Sequence, residues 1–218
     1  MDREALIQLI KKEKLIAIMR GVYGDAAVRT AEALAKGGIN LMEVPFDQSM
    51  GENQENTLHA IRRIAAELAG LVHVGAGTVM TAAQAQAASD VGSEYMITPN
   101  MDPEVIRRTR ALDRVMISGA LTPSEIADAW KNGSDFVKVF PAGSLGSAYI
   151  KAIRAPLKHI PLMAVGGVNE NNLKEFLNAG VCGFGIGGNL CNMDWIRAGE
   201  FDKLTELAKV YRERVEEG

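Results

Sequence analysis

A chain of 218 residues, 47% of them hydrophobic and 23% charged, has the balance of a soluble globular protein and can bury the core of one domain. A net charge of −3 without a basic run argues against a nucleic-acid partner, and the apolar stretches are strand-sized, well below the ~20 residues a membrane helix needs. Met1-Asp2-Arg3-Glu4 reads as the start of a helix and lacks the regions of a signal peptide, so the expected location is the cytoplasm. Cys182 and Cys191 are not spaced as a CxxC pair and have no histidine neighbours, so free thiols are expected rather than a zinc site or a disulfide. His59, His73 and His159 lie far apart in sequence, and neither a metal site nor a cofactor is expected.

A helix is predicted near 3–13, ahead of the first strand near 15–19, where Ile16, Ile18 and Arg20 alternate onto one face. The second strand, near 40–44, follows Gly37-Gly38 and places Leu41 and Glu43 on one face. The third lies near 72–76, with Thr81 suited to cap the next helix. The fourth, near 95–98, follows Gly92 and leads to the helix-start signal Asp102-Pro103. The fifth, near 115–118, leads to Thr122-Pro123-Ser124-Glu125. The sixth, near 136–139, follows Gly133 and carries Lys138 inside the apolar run Phe136-Val137-Lys138-Val139-Phe140. The seventh, near 162–165, ends at Gly166-Gly167, with Asn169 as the expected cap of the following helix. The eighth, near 184–186, follows Gly180 and ends at Gly187-Gly188.

Each helix that ends in glycine is followed at once by a short apolar strand, because a helix commonly stops in the left-handed conformation that glycine adopts without steric cost. Eight such units predict a parallel α/β architecture: a (β/α)8 TIM barrel with an extra N-terminal helix, one domain over residues 1–218. A doubly wound open sheet is the runner-up, although it usually has fewer strands.

Active sites of such barrels lie where strands end and loops begin, so the strand ends supply the candidates. Burial of an unpaired ammonium is costly, and desolvation would free the Lys138 amine as a nucleophile. The alternative is a buried stem whose head reaches water or pairs with an acid. Glu43 would reach the cavity as a general acid–base if its face is the interior, and would otherwise cap a helix outside. Arg20 could bind a carboxylate or phosphate through both guanidinium nitrogens, or be a surface loop residue. Gly166-Gly167 and Gly187-Gly188 stand where loops after strands seven and eight usually hold phosphate, with a short helix N-terminus expected to help. Either pair alone could be a tight turn.

Several elements together resemble the family of 2-keto-3-deoxy-6-phosphogluconate (KDPG) aldolase and 4-hydroxy-2-oxoglutarate (KHG) aldolase, over nearly the whole chain. They are Gly37-Gly38-Ile39 leading to Glu43-Val44, then Val74-Gly75-Ala76-Gly77-Thr78-Val79 and Thr98-Pro99-Asn100. Val137-Lys138-Val139-Phe140-Pro141-Ala142, Val165-Gly166-Gly167-Val168 and Ile186-Gly187-Gly188 complete the set. The resemblance implies a class I aldolase in which Lys138 forms a Schiff base with a 2-oxo acid, Glu43 shuttles protons and Thr78 lines the pyruvate pocket. It also implies a homotrimer. The candidate substrate-binding set is Arg20, Thr78, Pro99, Phe140, Gly166, Gly167, Gly187, Gly188 and Asn189. The sequence departs from the family at Asp47, where well-studied members carry an arginine for the substrate carboxylate, and at Val165, where threonine is frequent. Arg20 and Glu43-Val44-Pro45 resemble the branch acting on 2-keto-3-deoxy-6-phosphogalactonate (KDPGal). Two competing readings are a phosphosugar isomerase or epimerase with Glu43 as base, and a non-catalytic phosphosugar-binding protein. Neither needs a desolvated amine.

Overall fold

The computed structural model describes residues 1–49 and 52–217. Helix α1 (Arg3–Glu13) comes first, and the carboxylate of its N-cap Asp2 accepts a hydrogen bond from Ala5 N. Eight strands follow: β1 (Leu15–Ile18), β2 (Leu41–Pro45), β3 (His73–Gly77), β4 (Tyr95–Ile97), β5 (Val115–Ala120), β6 (Phe136–Val139), β7 (Leu162–Val165) and β8 (Gly183–Ile186). They pair in parallel and in chain order, and β8 closes on β1, so the barrel prevails over the open sheet.

Helices α2 (Gly24–Lys36), α3 (Glu52–Glu67), α4 (Ala82–Asp90), α5 (Pro103–Ala111), α6 (Pro123–Lys131), α7 (Ala142–Arg154) and α8 (Leu173–Asn178) connect successive strands, and α9 (Met193–Ala198) and α10 (Phe201–Glu216) follow β8. Their starts match the expected caps in three places. Thr81 Oγ1 accepts from Gln84 N, Asp102 accepts from Glu104 N and Val105 N, and Thr122 and Glu125 form a reciprocal capping box. The expectation for Asn169 is corrected. Its side chain accepts from Asn171 N, a local turn that competes with helix formation, so the chain makes one more turn and α8 begins after Asn172.

Side chains alternate across each strand as the pleat requires. Met42, Val44, Val74, Ala76, Val137, Val139, Leu162 and Ala164 face outward into the main core between sheet and helices. Ile16, Leu41, Tyr95, Ile97, Val115, Ile117, Phe136 and Met163 fill the barrel with Leu6, Ile7 and Ile10 of α1, which plugs the end where the strands begin. Packing there is close: a Cβ on Gly75 would lie 2.7 Å from Cγ of Tyr95, so the tyrosine ring occupies the space the glycine leaves. With that end plugged, the interior opens only where the strands end.

Candidate active site

Glu43 and Lys138 are inward-facing members of β2 and β6, one layer above the apolar plug. Glu43 is 1% exposed and Lys138 is 6% exposed. Lys138 pairs in register with Gly119 on one side and Met163 on the other, and Glu43 lies between Ile18 and Gly75. The helix-capping alternative for Glu43 and the water-reaching alternative for Lys138 are therefore both set aside. No hydrogen bond or ion pair within 4.0 Å joins the two among the described residues, yet their charges influence each other. Burial pushes the Glu43 carboxyl above the ordinary carboxylate range, while Lys138 and Arg20 act to lower it. Burial depresses the Lys138 amine, opposed by the Glu43 charge and assisted by Arg20.

Glycine makes room for both. A Cβ on Gly77 would lie 2.5 Å from Cδ and 2.6 Å from Cγ of Glu43, so the carboxyl lies against the bare backbone of β3. A Cβ on Gly119, beside Lys138, would press into the backbone of Pro99 and Asn100. The Phe140 ring lies 5.0 Å from Lys138 Nζ and is itself 39% exposed, which makes it the wall between the amine and solvent.

Lys138 opens into a cavity of about 420 Å³ at the strand ends. Its wall holds every expected substrate-binding residue: Arg20, Thr78, Pro99, Phe140, Gly166, Gly167, Gly187, Gly188 and Asn189. Glu43 lies behind this wall rather than on it. Ile18, Val165, Val168, Gly185, Cys191 and Met193 also line the space, although none of them was among the candidate substrate-binding residues. Cys191 is a buried free thiol whose pKa burial pushes up to about 12.

Arg20 follows β1 in a loop rather than ending the strand, and one of its terminal nitrogens lies 3.4 Å from Thr78 Oγ1. Thr78 has φ +50°, a left-handed conformation unusual for a β-branched residue, and Gln48 Nε2 donates to its carbonyl oxygen at 2.7 Å. Asp47 lies outside the main cavity, in a neighbouring hollow that shares Arg20 and Thr78. Hydrogen bonds from Ser49 N and Ser49 Oγ hold the Asp47 carboxyl below its ordinary pKa.

At α9 the N–H groups expected to help are already engaged. The first N–H groups of α9 are capped by Asn192, whose side chain accepts from Asp194 N and Trp195 N. The glycine loops precede both short helices, and their own backbone lines the cavity.

A buried amine beside a buried carboxyl, under a rim of cation and glycine backbone, suits carbonyl chemistry on an anionic substrate. Residues 6–207 match the family model described as KDPG and KHG aldolase. The chain belongs to the KDPG and KHG aldolase family.

Members of this aldolase family resemble the chain over most of its length. A 2-dehydro-3-deoxy-6-phosphogalactonate aldolase of Escherichia coli (strain K12) is 33% identical over 211 residues, which cover 94% of this chain and 98% of the relative. A 2-dehydro-3-deoxy-phosphogluconate aldolase of Treponema pallidum (strain Nichols) is 30% identical, with 94% of each chain covered. A solved structure described as native KDPGal superposes with a TM-score of 0.84 at 30% identity, covering 93% of this chain and 94% of that one. This aldolase is accordingly a carbon–carbon lyase on a (β/α)8 barrel. Among the described residues, no helix is long and apolar enough to cross a membrane.

Proposed function

We propose that this family member is a class I aldolase that cleaves a 2-keto-3-deoxy-6-phospho sugar acid to pyruvate and glyceraldehyde 3-phosphate, with 4-hydroxy-2-oxoglutarate, cleaved to pyruvate and glyoxylate, as the unphosphorylated alternative. The observation that carries the reading is the juxtaposition of Lys138 and Glu43, both buried in the barrel interior under one cavity rimmed by Arg20 and glycine backbone. Desolvation lowers the pKa of the amine and so raises its neutral fraction relative to a free lysine, and a neutral amine is the nucleophile.

In the proposed sequence, Nζ of Lys138 attacks the C2 ketone, and the carbinolamine loses water to give a protonated imine. Glu43 moves the protons of that dehydration and then takes the proton of the C4 hydroxyl, directly or through one water. The C3–C4 bond breaks, its electron pair passes into the imine as an enamine, and the aldehyde leaves. Protonation of the enamine at C3 and hydrolysis of the imine release pyruvate and restore Lys138. The raised pKa of Glu43 suits a group that must both accept and return a proton.

Arg20 and Thr78 hold the substrate carboxylate in this reading, the two glycine loops hold the phosphate, and Pro99 and Phe140 enclose the reacting carbons. The resemblance of Glu43-Val44-Pro45, together with the relative from E. coli, favours the phosphogalactonate stereoisomer. One barrel domain carries the activity in the cytoplasm and assembles as a homotrimer. Exposed Leu121, Phe140 and Leu145 supply apolar surface for that assembly. The test is pyruvate release from the phosphogalactonate, the phosphogluconate and 4-hydroxy-2-oxoglutarate. Cleavage of at least one, abolished by Lys138→Met, is expected. Cleavage of none, or full activity in the variant, refutes the reading.

A further inference from the structure

We infer that Asn172 and Asn189 are positioning residues that shape a backbone nest for the substrate phosphate; the inference rests on the reading that this cavity takes a phosphorylated 2-oxo acid. Gly166 and Gly167 are consecutive residues with φ of +84° and +76°, a backbone path open to glycine. Three successive carbonyls along this path are each held by a donor. Gly166 O accepts from Gly143 N at 2.7 Å, Gly167 O from Asn172 Nδ2 at 2.9 Å, and Val168 O from Asn189 Nδ2 at 3.1 Å.

A trans peptide is planar, with its N–H pointing opposite to its C=O. Fixing the Gly166 carbonyl therefore aims the Gly167 N–H, and fixing the Gly167 carbonyl aims the Val168 N–H. Among the described residues, neither N–H meets an acceptor within the protein, and both residues line the cavity. The third N–H, of Asn169, is different: it donates to Asn172 Oδ1 at 2.8 Å. Asn172 thus holds the loop by both ends of its amide. Asn189, in the loop after β8, ties the two glycine loops together. Its neighbour Gly188 also lines the cavity, and the N–H groups of Gly188 and Asn189 likewise meet no acceptor in the protein among the described residues.

Outward carbonyls and inward N–H groups make a concave cluster of partial positive charge, which suits a phosphate. A Cβ on Gly143 would lie 2.7 Å from Gly167 Cα, so the turn is also packed tightly from behind. Asn172 does not line the cavity and acts only through the backbone it holds. The assignment is therefore one of positioning for Asn172, while Asn189 lines the cavity and also holds the Val168 carbonyl, and the effect of both belongs to the phosphate rather than to the reacting carbons.

The experiment uses Asn172→Ala, Asn189→Ala and the double variant. Inorganic phosphate is the probe, measured both by calorimetric binding and as a competitive inhibitor of pyruvate release. Its dissociation constant is expected to rise roughly three- to tenfold in each single variant, the worth of one hydrogen bond, and more in the double. The loss of kcat/KM on the phosphorylated substrate, carried by KM, should exceed the loss on 4-hydroxy-2-oxoglutarate by roughly fivefold or more. Unchanged phosphate affinity, or equal losses on both substrates, overturns the assignment. Should one variant fold poorly, the other still decides. Failure of the aldolase reading is separate: wild-type protein that binds phosphate, weakened by Asn172→Ala, supports the nest even if no substrate is cleaved.

Discussion

Gly77→Ala adds one methyl group on the interior face of β3, opposite the Glu43 side chain. At Gly77 the new carbon would stand 2.5 Å from Cδ and 2.6 Å from Cγ of Glu43. Carbon atoms settle at 3.5–4.0 Å, so the carboxyl must retreat by about 1 Å or more. Glu43 is 1% exposed, so that retreat has to be taken up inside the barrel interior. A misplacement of ~1 Å in a reacting group can cost about 10²-fold in rate, and complete loss of general acid–base help about 10²–10⁴-fold. Gly77→Ala is therefore expected to lower kcat for aldol cleavage by about 10²-fold or more. Pyruvate affinity should change far less, since Arg20 and Thr78 are not displaced. Gly75→Ala is the control on the same strand face: it presses on the Tyr95 ring one layer below, so it is expected to lower the melting temperature, with overpacking costing about 1–3 kcal/mol. Stopped-flow or coupled assays of pyruvate release, with melting curves for both variants, give the comparison. A folded Gly77→Ala protein within fivefold of wild-type kcat would refute the claim that the carboxyl position carries the chemistry.

Other outcomes follow from the same geometry. Because burial depresses the Lys138 amine, deprotonation occurs at lower pH than in a free lysine. Imine formation with pyruvate should rise with pH through a midpoint below ~10.4, the ordinary lysine value, and a midpoint at that value would contradict the burial argument. Arg20→Ala removes the cation beside Thr78 and should lower kcat/KM about 10–200-fold on phosphorylated and unphosphorylated substrates alike. A loss confined to the phosphorylated substrate would move Arg20 to the phosphate. Replacing both buried ionisable groups, Lys138→Met with Glu43→Gln, is expected to abolish activity and leave stability equal or higher, because burial disfavours the charged form of each. Calorimetry should show the double variant melting above either single one, because each single change leaves the other group buried without its partner.

The barrel was legible because its signals are local. The strand containing Lys138 was expected at 136–139 and is observed as Phe136–Val139, bounded by Gly133 and Phe140-Pro141. Period-two alternation put Leu41 and Glu43 on one face without saying which, and the folded chain makes it the interior, while the apolar neighbours of Lys138 marked it as desolvated. Boundaries shifted where the chain has freedom: β2 is Leu41–Pro45 rather than 40–44, and β1 stops at Ile18, short of Arg20. Asn169 was misread as a cap because an asparagine that turns the chain locally has the same sequence appearance as one that starts a helix. The contact of Gly77 with Glu43, and the roles of Asn172 and Gln48, escaped notice for a different reason. Gly77 and Gln48 act on side chain or backbone distant in sequence, and Asn172 on a loop whose path only the folded chain shows, and neither composition nor periodicity encodes such contacts. The departure at Asp47 was visible, but its position in a side hollow, held by Ser49, required the folded chain.

The central claim is a covalent bond between Nζ of Lys138 and C2 of a 2-oxo acid. Borohydride reduction in the presence of pyruvate, followed by peptide mass spectrometry, tests it directly. One stable pyruvate-derived group per chain is expected on the peptide carrying Lys138, and none in Lys138→Met. Labelling at another lysine, or no stable adduct in an enzyme that still cleaves its substrate, would contradict it.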